Sequence, residues 1–167
     1  MLHTAGSGGR PIGAIVGRPM KSRPEEVFDS PSGWVAAHIR RYVETDGRDG
    51  HRWRGVNTLL LTTRGRRSGK LRRTALIYGR SGERYLVVAS QGGAPRNPSW
   101  YLNLTDDPEV ELQVGADRFP ARARTATAEE KPGLWRIMTS IWPDYDRYQA
   151  RCERDIPVVI LEPLASG

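Results

Sequence analysis

Cysteine is almost absent from this chain. Cys152 is the single one in 167 residues, so no disulfide can close within it. A reducing compartment is then the default expectation, and the lone thiol reads as structural or incidental. Long apolar runs are missing too. None approaches the ~18 residues needed to span a bilayer. Ile12 to Val16 is too short for the core of a signal peptide. A soluble protein of the cytoplasm is therefore expected. Histidine is scarce and scattered, at His3, His38 and His51, with no ligand-spaced partners beside it, so no metal site is expected. No serine sits in a nucleophile-elbow pattern. Gly92-Gly93 lacks the spacing of a dinucleotide fingerprint. Acidic residues are missing altogether between Arg52 and Arg80, where nine Arg or Lys residues occur.

The remaining composition bounds the fold. The length suits one domain. Hydrophobic content of 38% is low for a compact chain, so one end should lie outside the core. Residues 1–29 are rich in Gly, Pro, Ser and Arg without periodicity and read as a flexible arm. Residues 30–167 read as a single folded domain. Ser30-Pro31 looks like a helix start. The helix spans about 32–45, with Trp34, Ala37, His38 and Arg41 on one stripe and Val35, Ile39 and Tyr42 on the next.

Short strand signals follow. Thr58 to Thr63 and Leu71 to Tyr78 flank the turn RGRRSG, and Glu83 to Ser90 follows a Ser81-Gly82 turn. These three should form a meander. Pro98 starts a short helix that Asp107-Pro108 ends. Val110 to Val114 and Phe119 to Ala123 alternate around a hairpin at Gly115 to Asp117. Thr127 to Glu130 is a capping box for a helix reaching Ile141. Trp142 to Tyr148 reads as an aromatic loop, and Ile156 to Leu161 as a last strand. Six short strands and three helices predict an α+β, mainly β fold of small-barrel type.

The net charge of +7 points to an anionic partner. Six of the nine clustered cations crowd one hairpin: Arg64, Arg66, Arg67, Lys70, Arg72 and Arg73. Arginine suits bidentate contacts to phosphate and carboxylate. Gly65 and Gly69 let the backbone come close to a ligand. On spacing alone, a solvated basic turn, an anion site and a nucleic-acid surface all stay open. Nucleic acid is disfavoured because the charge is confined to one hairpin, with no helix-turn-helix, zinc or RNA-binding pattern beside it. Trp100 and Tyr101 follow one loop, while Trp142, Tyr145 and Tyr148 crowd another. They serve either packing or a slot for a planar ring.

Three segments, LLLTTRGRRSGKLRRTALIY (59–78), VVASQGGAPRNPSWYLNL (87–104) and WPDYDRYQARCERDIPVVILEP (142–163), together resemble the deazaflavin-dependent nitroreductase and quinone reductase family. The resemblance spans about 57–163. It implies a split β-barrel and coenzyme F420, an 8-hydroxy-5-deazaflavin with a phosphate and an oligoglutamate tail. Position by position, it implies that Arg66, Arg67 and Ser68 contact the phosphate and tail, and that Arg72 joins them. It places Thr74, Ala75, Leu76 and Ile77 along the ring, with Ala89, Ser90 and Gln91 at the end of the third strand. Trp100, Tyr101, Leu102 and Asn103 fall near tail and phosphate. Tyr145 falls at the pocket of cofactor and substrate, lined also by Trp142 and Tyr148.

A family member has Lys at the positions of Arg67 and Gln91, Pro at Ala75, and Tyr at Ile77 and Trp142. The last two changes reshape the substrate pocket. The implied activity is hydride transfer from the reduced deazaflavin to a small-molecule acceptor: a quinone, activated alkene or nitroaromatic. Ser90 and Tyr145 are the candidate catalytic residues. The alternatives are a non-catalytic F420 carrier and a split-barrel oxidoreductase using FMN. Peripheral contact with a membrane, for a lipid quinone, stays open.

Overall fold

The computed structural model describes residues 25–165. Its strands are β1 (Val27–Asp29), β2 (Arg52–Trp53), β3 (Val56–Arg64), β4 (Leu71–Ile77), β5 (Gly79–Ser81), β6 (Arg84–Val88), β7 (Glu109–Val114), β8 (Asp117–Thr125) and β9 (Val158–Pro163). The α-helices are α1 (Gly33–Glu44), α2 (Ser99–Asp106), α3 (Lys131–Ile141) and α4 (Asp144–Arg151). One sheet runs β1-β4-β3-β7-β8-β9-β6-β5, with β2 attached to β3. Every pairing is antiparallel except β1 with β4. The path curls around a core without closing, so the mainly-β, barrel-like expectation holds.

Strand period explains the continuous apolar runs. Successive side chains of a strand face opposite sides. In β3, Leu59 and Leu61 enter the central core, while Leu60 packs with Ile39 and Tyr42 of α1. In β9, Val159 and Leu161 enter the central core, while Val158 and Ile160 pack with Leu134, Met138 and Tyr145 of α3 and α4. These strands are apolar throughout because both faces are covered. The capping box forms: the Thr127 N–H donates to Glu130 Oε1 at 2.9 Å, and the Glu130 N–H to Thr127 Oγ1 at 3.2 Å.

Several expectations are corrected. The three-strand meander does not form, since β4 has no pairing with β6; β6 pairs with β5 and β9. The N-cap position of the first helix is Ser32, two residues after the expected Ser30, and its side chain makes no capping hydrogen bond. The predicted aromatic loop contains α4, with Pro143 before it and Asp144 and Asp146 in its first turn, where carboxylates favour the helix dipole. It buries only Tyr145, too narrow a face to show as periodicity. Three strands were missed, each of two or three residues and too short for alternation to show. One of them, β1, takes Val27–Asp29 out of the predicted arm. Residues 1–24 of that arm lie outside the described residues.

Candidate functional site

The β3–β4 hairpin forms one wall of a cleft of about 500 Å³. Its turn closes on itself: the Gly65 N–H donates to Lys70 O at 2.7 Å and the Gly69 N–H to Gly65 O at 2.8 Å. Gly69 takes φ +73°, which favours glycine. Asn103 of α2 ties the turn to the body. Its buried Oδ1 accepts from the Arg66 N–H at 3.2 Å and the Arg66 guanidinium at 3.0 Å, and its Nδ2 donates to Thr63 Oγ1 at 3.1 Å. The far wall is Phe28 to Pro31, which β1 brings alongside β4.

The six cations are not equivalent. Arg64 pairs with Glu25 through two contacts of 2.7 and 2.8 Å, and this pairing holds the Glu25 carboxyl below the usual range. Arg73 pairs with Asp29 at 2.7 Å. Lys70 and Arg72 lie over the Phe28 ring, at 5.0 and 5.7 Å from its centroid. Among the described residues, Arg66, Arg67, Lys70 and Arg72 have no carboxylate partner. Of these four, Arg66, Arg67 and Arg72 line the cleft. An anion entering there meets cations not already neutralised.

A second cavity of about 290 Å³ adjoins the cleft, and Trp100 lines both. Its walls include Ala75, Leu76 and Ile77 from β4, Ser90, Gln91 and Gly92 after β6, and Trp142, Tyr145 and Tyr148 around α4. The other side is Trp34 and His38 of α1, Trp53 of β2 and Thr58. Trp34 stacks on Trp53 with centroids 5.7 Å apart and planes 14° apart, and Trp53 meets Trp142 at 5.7 Å. Flat aromatic faces and few polar atoms suit a planar ring.

Polar groups in this slot are few and defined. Tyr145 is 5% exposed, and its hydroxyl has no hydrogen bond among the described residues. Desolvation, with a smaller contribution from neighbouring Tyr148, pushes the hydroxyl well above the ordinary tyrosine range. A hydroxyl so shifted is a weaker proton source than an ordinary tyrosine. Tyr145 stays a neutral hydroxyl that can donate a hydrogen bond. Ser90 is buried at the rim. His38 is buried and, chiefly by desolvation, held below the usual histidine range.

The structure brings most of the expected residues together. Arg66, Arg67, Ser68, Arg72, Thr74 and Asn103 line the cleft. Ala75, Leu76, Ile77, Ser90, Gln91, Trp142, Tyr145 and Tyr148 line the slot, and Trp100 joins the two. Ala89, Tyr101 and Leu102 line neither. Ala89 is fully buried, and the Tyr101 hydroxyl bonds Thr125 Oγ1 at 2.8 Å. Sequence reasoning missed Phe28, Trp34, His38 and Trp53, which stand far from the motifs in the chain. The helical stripe of Trp34 and His38 was the one available signal.

A basic cleft opening onto an aromatic slot is a site for a planar molecule with an anionic arm. The model of the F420H2-dependent quinone reductase family matches residues 34–163. The chain belongs to that family. Membership makes it an oxidoreductase and coenzyme F420 its cofactor. The chain is 43% identical over 128 residues to an F420H2-dependent quinone reductase of Mycobacterium tuberculosis, covering 74% of this chain and 86% of the relative. It is similar to a solved F420H2-dependent reductase, FDR-A, at 39% identity and a TM-score of 0.59, covering 63% of this chain and 93% of that one. It is also similar to a structure described as a domain-swapped dimer, at 36% identity and a TM-score of 0.61, covering 80% of this chain and all of that one. Both solved neighbours share the split-barrel-like fold.

The residues present fit the cofactor. Among the described residues, the cleft offers cations without carboxylate partners, which would suit a phosphate and an oligoglutamate, and the slot offers aromatic faces and an unpartnered buried hydroxyl, which would suit a ring system.

Proposed function

We propose that this chain reduces a small electrophilic acceptor, a quinone, activated alkene or nitroaromatic, with coenzyme F420 held across both cavities. One observation carries the reading: the cationic cleft and the aromatic slot meet at Trp100, so one ligand can place its tail in the first and its ring in the second. When bound, the reduced deazaflavin supplies a hydride. Arg66, Arg67, Ser68 and Arg72 bind the phosphate and tail, and Asn103 fixes Arg66. Ala75, Leu76 and Ile77 line the ring's edge of the slot, and Trp142 and Tyr148 exclude water from it.

Ser90 and Tyr145 orient the acceptor's polar atom and are the catalytic residues of this reading. A quinone that takes up the hydride becomes a quinol with one further proton, drawn from solvent through the slot mouth or relayed by the Tyr145 hydroxyl. Burial makes the Tyr145 hydroxyl a weaker acid than an ordinary tyrosine, which favours solvent as the ultimate source. A cytoplasmic location belongs to this reading. No helix among the described residues is long and apolar enough to cross a membrane.

The test is a panel of menadione, an enone and a nitroaromatic mixed with reduced cofactor. Re-oxidation by at least one acceptor is expected. Tight cofactor binding with no turnover of any acceptor would instead support the carrier alternative. Equal affinity for FMN would support the flavin alternative.

A further inference from the structure

Arg154 lies between α4 and β9 and lines neither cavity, yet its guanidinium bonds one stretch of chain four times. Nε donates to Ala94 O at 2.8 Å. One terminal nitrogen donates to Ala89 O at 3.2 Å and to Asn97 Oδ1 at 2.6 Å. The other donates to Ser90 O at 2.8 Å. All four acceptors are neutral. The Arg154 carbonyl accepts from Gln149 Nε2 at 2.8 Å, and Gln149 Oε1 accepts from the Ile156 N–H at 2.9 Å, so the clamp is itself held. A guanidinium is a planar fork of donors, and four bonds to residues 89–97 fix that stretch in orientation as well as in place.

The stretch needs holding. Gln91 has φ +45°, which side chains other than glycine adopt at a cost. Gly93 packs so closely that a Cβ there would meet Tyr148 O at 2.8 Å. Ser90, Gln91 and Gly92 all line the slot. In a trans peptide the N–H points opposite to the C=O. The Ala89 and Ser90 carbonyls face Arg154, so the Ser90 and Gln91 N–H groups of the same peptides face away from it. Neither N–H has a hydrogen-bond partner among the described residues. A cation on the carbonyl side also polarises the peptide and strengthens its N–H as a donor.

We propose that Arg154 is a positioning residue for the reductase: it sets the Ser90–Gln91 turn so that two peptide N–H groups and the Ser90 hydroxyl present themselves to the slot. Donors aimed at oxygen where negative charge grows during hydride arrival favour the transition state over the ground state. The inference rests on the reading of the slot as the place of reaction.

The experiment compares the full chain with Arg154→Met and Arg154→Lys, measuring turnover with menadione, acceptor KM, affinity for oxidised cofactor and melting temperature. Arg154→Met should lower kcat about 10- to 100-fold, with cofactor affinity changed only about three-fold, because the cleft is untouched. Arg154→Lys keeps the charge but cannot reach all four acceptors. It should stay folded, carry the test if the Met variant does not fold, and remain at least about five-fold slow at saturating acceptor. Adding guanidinium ion at low millimolar concentration to Arg154→Ala should recover part of the lost kcat. A Lys variant with unsubstituted kcat would overturn the inference while leaving the reductase reading intact. So would equal proportional losses of kcat and cofactor affinity. No turnover by the unsubstituted chain would overturn the reductase reading and this inference with it.

Discussion

The cleft and the slot share Trp100 but are built in opposite ways. The cleft takes most of its chemistry from the turn of one hairpin, where Arg66, Arg67 and Arg72 are exposed. The slot takes its walls from α1, β2, β4, the turn after β6 and α4, and its key groups are buried. Exposed cations act through charge and are screened by salt, while aromatic faces act through shape and are not. The cleft should therefore govern how tightly the cofactor binds, and the slot how fast an acceptor is reduced.

The largest expected effect separates these roles. The double variant Arg66→Ala Arg67→Ala removes two charge-assisted contacts and should weaken F420 binding about 100-fold, with turnover at saturating cofactor changed less than about three-fold. Fluorescence titration and steady-state kinetics read the two quantities. A fall in kcat as large as the fall in affinity would merge the two regions into one.

Next come Tyr145→Phe and Ser90→Ala. Each should lower kcat about ten-fold, the value of roughly one hydrogen bond, and leave cofactor affinity nearly unchanged. Loss of affinity without loss of kcat would move these residues from the reaction to the binding of the cofactor.

A smaller effect concerns the anchor between the regions. Asn103→Leu leaves the Arg66 N–H without its buried acceptor and should cost about 1–3 kcal/mol of stability. It should also loosen the hairpin enough to weaken cofactor binding several-fold. Denaturant unfolding and the same titration check it. Unchanged affinity would mean that the hairpin holds its shape without Asn103.

The smallest effect is a pH dependence between pH 7 and pH 5, which belongs to two histidines and not to the arginine hairpin. His38 and His51 are both held below the ordinary value of 6.5, in each case chiefly by desolvation. The unfolded chain binds protons at these sites in a range where the folded chain does not. Their contribution is complete above about pH 6.5 and is lost as pH falls through the depressed folded values. The melting temperature should decline from pH 7 towards pH 5, and less steeply in His38→Gln His51→Gln. Identical slopes would remove the histidines from the account.

The same contrast explains what was legible in the sequence. The hairpin cations are contiguous, so their crowding showed before any fold was known. The Asn-Pro-Ser-Trp-Tyr stretch and the aromatic cluster at 142–148 were legible as motifs. The opposite wall of the slot was not. Trp34, His38 and Trp53 reach it only because α1 packs on Leu60 and Ala75, and because β2 folds back on β3. Nothing in their local spacing announces that. Arg154 was hidden for the same reason: its partners lie 57 to 65 residues away. Short strands such as β1 and β5 escape because three residues carry no readable period. The meander failed because β6 chooses β9, a partner from the far end of the chain, over β4.

The division of labour is tested most directly by titrating the chain with oxidised F420 and with the same deazaflavin lacking phosphate and tail. The account predicts much tighter binding of the tailed form, and a preference that largely disappears in Arg66→Ala Arg67→Ala. Equal affinity for the two forms in the unsubstituted chain, or a preference that survives the double substitution, would contradict it.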